Sequence, residues 1–252
     1  MKVAAIQHDI VWEDRDANLA RYPDLVRGAA ATGARLIVMT EMFSSGFSMN
    51  TELVAEDPDG PSAEMLRNLA SEVDAWLCAS IPMQHPGQDR PHNTLCLVAP
   101  SGATHHYRKI HPFTYSTEPE HYDAGTDFLT VDVEGLRVST FVCYDLRFAD
   151  EFWALAANTD LFVVPANWPA TRRLHWQTLL KARAIENQAY VVGVNRVGEG
   201  GGLNYSGDSA IIDPLGETLA QGAIGEALLV ADVDAEMVAS VRKQFPFSAD
   251  RR

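Results

Sequence analysis

Cys143 stands in "RVSTFVCYDLRFADEFWALA" at the seam between two patterns. Val138, Phe141 and Val142 form a β-branched and aromatic run before it, and Phe148, Phe152, Leu155 and Ala156 recur at helical spacing after it. A thiol is a weak nucleophile until deprotonated, and its pKa of about 8.5 falls beside a cation or a helix N-terminus. The seam would turn the first amides of a following helix toward the sulfur; the plain alternative is a small buried hydrophobe. Glu41 ends the apolar run of "LIVMTEMFSSGF", and the carboxyl end of a buried strand is where open α/β sheets place their sites. Burial there would raise its pKa toward the range of a general base; in a solvated loop it would be one more surface acid. Lys109 closes a third strand-like run in "HHYRKIHPF". Its ammonium could stabilise a thiolate or hold the oxyanion of an acyl-transfer intermediate, unless it is only surface charge.

Other groups offer less. Cys78 and Cys96 lie inside apolar runs with no activating neighbour, so both are expected to pack as core. His105 and His106 are adjacent on a strand and point to opposite faces, and no HExxH spacing occurs among the eight histidines, so no metal centre is expected. "GEGGGLN" from Gly198 lacks the third glycine of a dinucleotide loop and is read as a flexible loop. No GxSxG elbow supports a serine hydrolase. With a net charge of -14 the chain has no basic surplus for nucleic acid or anionic lipid. Gln7, His8 and Asp9 break the N-terminal apolar stretch before it could act as a signal segment, and no run reaches transmembrane length. Three cysteines cannot all pair and lack zinc-ribbon spacing; a reducing cytoplasm is expected.

Strands and helices must position these groups. "MKVAAIQHD", "ANLARYPDLVRGAAATG" and "ARLIVMTE" read as strand, helix and strand, followed by a helix opened by Pro61 and the strand "AWLCASIPM". The turn signals Ser101-Gly102 and Glu134-Gly135 join antiparallel pairs, the second delivering the chain to Cys143. Helix 149–158, strand "DLFVVPAN", helix "LHWQTLLKARAIENQ" and strand "AYVVGVNRV" repeat the opening theme. Short strands with a turn at Pro214 to Gly216 and a helix over 235–245 close the chain. No composition break divides residues 1–252, so one α/β domain is expected. Its strands are too many for one parallel sheet, and two mixed sheets packed face to face with helices outside would hold them. The apolar residues Leu174, Leu179, Leu180, Ala182, Ala184 and Ile185 run around much of their helix, which predicts cover on two sides.

"TEMF" with Glu41, "YRKIHPF" with Lys109 and "CYDLRF" with Cys143 resemble, in order and spacing, the three signature segments of the nitrilase superfamily of carbon-nitrogen hydrolases. "ANWPATRRLHWQTLLKARAIENQAYVVGVNRVG", "YSGDSAIIDPLGE" and "RKQFPF" bring the resemblance closer to its bacterial ω-amidase branch, over essentially the whole chain. The resemblance implies a four-layer α-β-β-α sandwich with mixed sheets, no cofactor, and a homodimer formed through the helix around Leu180. It also implies roles. Glu41 accepts the thiol proton, Cys143 attacks the amide carbon, and Lys109 with the backbone amide of Tyr144 holds the oxyanion. Many members carry a second glutamate after the lysine; "TYSTEPEHYDAG" offers Glu118 and Glu120, and the distance to Gly125 favours Glu118.

The expected activity is hydrolysis of the terminal amide of short 2-oxo dicarboxylic acid monoamides such as 2-oxoglutaramate and 2-oxosuccinamate, through a cysteine thioester. N-carbamoyl amide, aliphatic amide and nitrile hydrolysis use the same three residues, and a binding protein without turnover is the alternative outside catalysis. Only the pocket separates them. A substrate carboxylate needs a cation facing it. Arg147 in "CYDLRF" is a candidate anchor, unless it pairs with Asp145 or Asp150 to brace the turn. Trp168 in "ANWP" is expected to wall a short pocket suited to four- and five-carbon amides.

Overall fold

Residues 1–250 are described by the structure, a computed structural model. β1 (Lys2–Gln7), α1 (Arg15–Ala30) and β2 (Leu36–Val38) form the opening unit, with β1 and β2 parallel. Asp14 caps α1 by accepting from the amide of Ala17 at 3.0 Å, which starts the helix ahead of its expected bound. A single turn α2 (Thr51–Val54) precedes α3 (Pro61–Val73), whose first residue is the expected proline. β3 (Trp76–Met83) runs parallel to β2, and β4 (His92–Val98) and β5 (Thr104–Arg108) follow, each antiparallel to the one before. After the short α4 (Glu118–His121), β6 (Thr130–Val133) and β7 (Leu136–Thr140) form a hairpin. Its Glu134 and Gly135 have φ of 52° and 87°, the two positive angles that a two-residue turn matched to strand twist requires.

The second half places α5 (Ala149–Leu155), β8 (Leu161–Ala166), α6 (Arg173–Asn187) and β9 (Tyr190–Asn195), with β7, β8 and β9 parallel. β10 (Val197–Gly200) and β11 (Leu203–Ser206) pair as a hairpin where the glycine-rich stretch was expected to be a flexible loop. Gly201 and Gly202 supply positive φ at both turn positions, so the glycines build a turn rather than loosen one. β12 (Ala210–Ile212), β13 (Thr218–Gln221), β14 (Ala227–Asp232) and α7 (Ala235–Gln244) complete the chain.

Two mixed six-stranded sheets result, in the orders β14-β1-β2-β3-β4-β5 and β13-β12-β9-β8-β7-β6. Strand alternation explains the layers. Val3, Ala5, Leu36 and Val38 face the second sheet, whereas Ala4, Ile6 and Ile37 lie under Tyr22 and Val26 of α1 and Leu66 of α3. α6 covers the second sheet so closely that a Cβ on Gly193 of β9 would lie 2.5 Å from Leu180. The architecture is the expected α-β-β-α sandwich. One face of α6 is buried, through Trp176, Leu180 and Ala184, but Leu174 and Ile185 are 71% and 54% exposed. The expected second cover is therefore not supplied by the described residues. Among the described residues no helix is long and apolar enough to cross a membrane.

Candidate active site

Four chain segments converge at one end of the two sheets. Glu41 follows β2 and Lys109 follows β5 in the first sheet; Cys143 lies just beyond β7 and Asn167 just beyond β8 in the second. β5 reaches the same end as β2 because each antiparallel step from β3 to β4 to β5 reverses direction. Glu41, Lys109 and Glu118 are each at most 1% exposed, and Cys143 is 9% exposed.

The cysteine sits in a different local structure from the one expected. A 3-10 turn, Cys143–Arg147, stands between it and α5, and Cys143 itself has φ of 47°. A left-handed backbone costs roughly 1–2 kcal/mol for a residue with a Cβ. Met42, directly after Glu41, is strained in the same sense, with φ of 42°. Three donors fix the cysteine turn through one carboxylate. Asp145 accepts from the Val142 amide at 2.9 Å, the His111 amide at 2.9 Å and the Tyr107 hydroxyl at 2.8 Å. This ties the cysteine segment to the lysine segment across the two sheets. Burial pushes the Asp145 carboxyl up to about 6 against the pull of Lys109 and these donors.

Lys109 Nζ lies 3.3 Å from Glu41 Oε1 and 2.8 Å from Glu118 Oε2. Burial works against its charge, but Glu118 and Glu41 more than offset it and hold the ammonium above its usual range. Glu118 accepts also from the Phe113 amide, and burial raises its carboxyl above the usual value although Lys109 opposes the shift. Glu120 is exposed, so of the two sequence candidates only Glu118 reaches the cluster. Glu41 is oriented by two residues that the sequence did not single out. Asn93 Nδ2 donates to its Oε1 at 2.8 Å, and the Asn167 amide donates to its Oε2 at 2.7 Å. An asparagine at the end of an apolar run, as in "VVPAN", is the signal that could have marked Asn167.

Cys143 Sγ adjoins the Glu41 carboxylate and the Asn167 backbone N–H. Its thiol is not activated by a lowered pKa: burial, then the Glu41 charge, push it well above the usual value and outweigh Lys109. A protonated thiol beside a buried carboxylate calls for general-base removal of the proton at the moment of attack. Cys78 and Cys96 are fully buried in the core, where desolvation raises the first and pushes the second up to about 12. Neither joins the site.

Above Cys143 opens a cavity of about 450 Å³, bounded by Trp12, Phe47, Phe113, Tyr144, Trp168 and Tyr205 among others. It is roomier than the expected short pocket, because the segment 47–50 and Gly200, Gly201 and Leu203 of the β10-β11 hairpin extend its wall beyond Trp168. Trp168 is 3% exposed and fixed at both ends: its amide donates to Asn195 Oδ1 at 2.7 Å and its indole Nε1 to the Arg172 carbonyl at 2.9 Å. Arg147 lines the cavity with Cζ 4.8 Å from the Trp168 ring centre and donates to His175 Nδ1 at 3.1 Å. It pairs with neither Asp145, which is committed to the turn, nor Asp150. No group of His, Cys, Asp and Glu among the described residues could hold a metal ion.

The family model for carbon-nitrogen hydrolases matches residues 2–243. An omega-amidase, YafV, of Escherichia coli K12 is 39% identical over 98% of this chain and 94% of its own length. A 2-oxoglutaramate amidase of Paenarthrobacter nicotinovorans is 35% identical over 100% of this chain and 90% of its own. The crystal structure of XC1258, a CN-hydrolase superfamily protein from Xanthomonas campestris, superposes with a TM-score of 0.93 at 34% identity, covering 100% of this chain and 97% of the other. With a family match across nearly its whole length and a buried cysteine, glutamate and lysine meeting beneath one cavity, the chain belongs to the carbon-nitrogen hydrolase family.

Proposed function

We propose that the chain is an ω-amidase that hydrolyses the terminal amide of short 2-oxo dicarboxylic acid monoamides, such as 2-oxoglutaramate and 2-oxosuccinamate, to the 2-oxo acid and ammonia. The observation that carries the chemistry is the buried Lys109 ammonium lying between Glu41 and Glu118, in electrostatic reach of Cys143, which lines the cavity. In this reading Glu41 removes the thiol proton as Sγ attacks the amide carbon. Lys109 and the Tyr144 backbone amide hold the oxyanion. Glu41 returns the proton to the leaving nitrogen, ammonia departs, and a thioester remains on Cys143. Water, positioned by Glu118 and deprotonated by Glu41, then releases the acid. Every step moves protons among groups the chain supplies.

The substrate class is supported by the relatives that carry ω-amidase and 2-oxoglutaramate amidase names and by the arginine on the cavity wall. The cavity itself does not select short chains by size. The test is ammonia release from 2-oxoglutaramate and 2-oxosuccinamate against neutral aliphatic amides of equal length, glutamine, carbamoyl amino acids and nitriles. The 2-oxo acid amides should have kcat/KM at least about tenfold above the neutral amides, a difference of roughly 1.4 kcal/mol. Equal values would reject this substrate class and leave the cysteine chemistry standing.

Residues 1–252 are taken as one catalytic domain, supported by the family match over 2–243. Three unpaired, buried cysteines suit a reducing compartment, in keeping with a cytoplasmic enzyme. Exposed Leu174 and Ile185 on α6, with Trp153 43% exposed on the adjoining α5, support a homodimer through this face.

A further inference from the structure

A second guanidinium shares the cavity with Arg147. Arg172 closes the short 3-10 turn Ala170–Arg172 that follows Trp168, and it lines the same cavity wall. Its Cζ lies 5.3 Å from the ring centre of Phe113. Trp168 links the two segments: its ring carries the Arg147 guanidinium, and its Nε1 donates to the backbone carbonyl of Arg172, whose own guanidinium lies over Phe113.

Neither is paired with a carboxylate among the described residues. Next in sequence, Arg173 pairs with Asp208 at 2.8 Å, and Arg183 on the same helix pairs with Glu186 at 2.8 Å. Arg147 instead has the His175 ring nitrogen and the Trp168 ring, and Arg172 has the Phe113 ring. Glu13 also lines the cavity, but its carboxylate accepts from the Ser48 hydroxyl and reaches neither arginine. Two cations at one partly desolvated wall repel, and burial together with the Arg172 charge pulls the basicity of Arg147 down. In a chain with 34 acidic and 20 basic residues, carboxylates were available to quench such a pair. The wall holds each guanidinium over an aromatic ring and commits only Arg147, to His175, in a hydrogen bond, an arrangement matched to a planar anion arriving from solution.

We propose that Arg147 and Arg172 together clamp the free carboxylate of the substrate, with Arg172 the second specificity-determining cation that commits the cavity to amides bearing a carboxylate at the far end. This rests on the amidase reading above. The carboxylate would bridge the two guanidinium groups while the amide end reaches Cys143, and the apolar walls of Phe113 and Trp168 would enclose the chain between.

Succinamate and butyramide have four-carbon chains and differ in the distal carboxylate, so the ratio of their kcat/KM values reads the clamp. That ratio does not depend on the fraction of a variant that is folded. In wild type it should exceed about ten, and Arg172→Met should bring it to about one, because the bridged carboxylate loses its charge-assisted hydrogen bonds from one of its two guanidinium groups. Arg172→Lys, which keeps the charge without the fork, should restore part of the ratio, mainly through KM. A ratio in Arg172→Met equal to that of wild type, whether both rates fall or neither does, overturns the clamp and leaves the amidase reading intact. A wild-type ratio near one overturns both.

Discussion

Burial and the neighbouring Glu41 keep the Cys143 thiol protonated at rest, so its reactivity depends on geometry rather than on a standing thiolate. Cys143→Ala should abolish turnover and leave the melting curve near wild type, since alanine carries the same left-handed backbone cost. Cys78→Ala and Cys96→Ala should stay active, and iodoacetamide should label Cys143 first, its sulfur alone opening on the cavity. Glu41→Gln and Lys109→Met should each lower kcat by roughly a thousandfold or more, and the double variant should be little worse, because both serve one transition state. Single variants within tenfold of wild type would remove them from the mechanism. Trp168→Ala should erode the preference for charged amides, as it removes the ring beneath Arg147 and the donor to Arg172. Cys143 and Glu41 were legible because each ends an apolar run, where a polar side chain stands out, whereas Lys109 ends a largely polar strand and was marked by its strand position and by the family resemblance. Asn93 and Arg172 were not: Glu41 and Phe113, which they face, are distant in sequence, and an isolated asparagine or arginine carries no local pattern. Asn167 does end an apolar run, but its partner Glu41 is 126 residues away and only the fold joins them.

At the level of elements, the site depends on short segments clamped onto the strand ends. Gly125 follows α4, and its amide donates to the Lys109 carbonyl at 2.8 Å, so it holds the Glu118 segment against the lysine. A Cβ there would fall on the carbonyl oxygen of Arg108 and 2.7 Å from its Cβ. Gly125→Ala should therefore cost roughly 1–3 kcal/mol, a fall of about 2–10 °C in Tm, and lower kcat by drawing Glu118 away from Lys109. Unchanged Tm and kcat would show that the segment has another hold. On the other side, Arg183 of α6 donates to the Leu146 carbonyl at 2.7 and 3.1 Å, fastening the cysteine turn to the helix. The long strands and helices were legible from period and caps. The single turns α2 and α4 were not, being too short to show a period, and the β10-β11 hairpin was hidden because glycine is a poor strand former. The Gly201-Gly202 pair was the turn signal that could have revealed it.

Across the whole molecule, two couplings can be measured. Burial raises the Asp145 carboxyl to about 6 in the folded protein, from an ordinary value of 3.8. A raised carboxyl contributes stability that is full below the unfolded pKa and lost as pH rises through the folded one. Wild type should thus lose about 3 kcal/mol from this group between pH 3.8 and pH 6 and hold steady above. Urea unfolding of Asp145→Asn should lack that slope, and a parallel slope in the variant would place the titration elsewhere. The apolar face of α6 predicts self-association: Leu174→Glu with Ile185→Glu should halve the mass in sedimentation equilibrium, whereas a wild-type monomer at micromolar concentration would exclude the dimer. The two sheets bring Glu41 and Lys109 of the first against Cys143 of the second, and the covalent product of that meeting is the most direct evidence for it. Rapid acid quench during turnover of 2-oxoglutaramate, followed by peptide mass spectrometry, should find the Cys143 peptide heavier by the substrate less ammonia, with no such adduct on Cys78 or Cys96. Turnover without an adduct on Cys143, persisting in Cys143→Ala, would contradict the account.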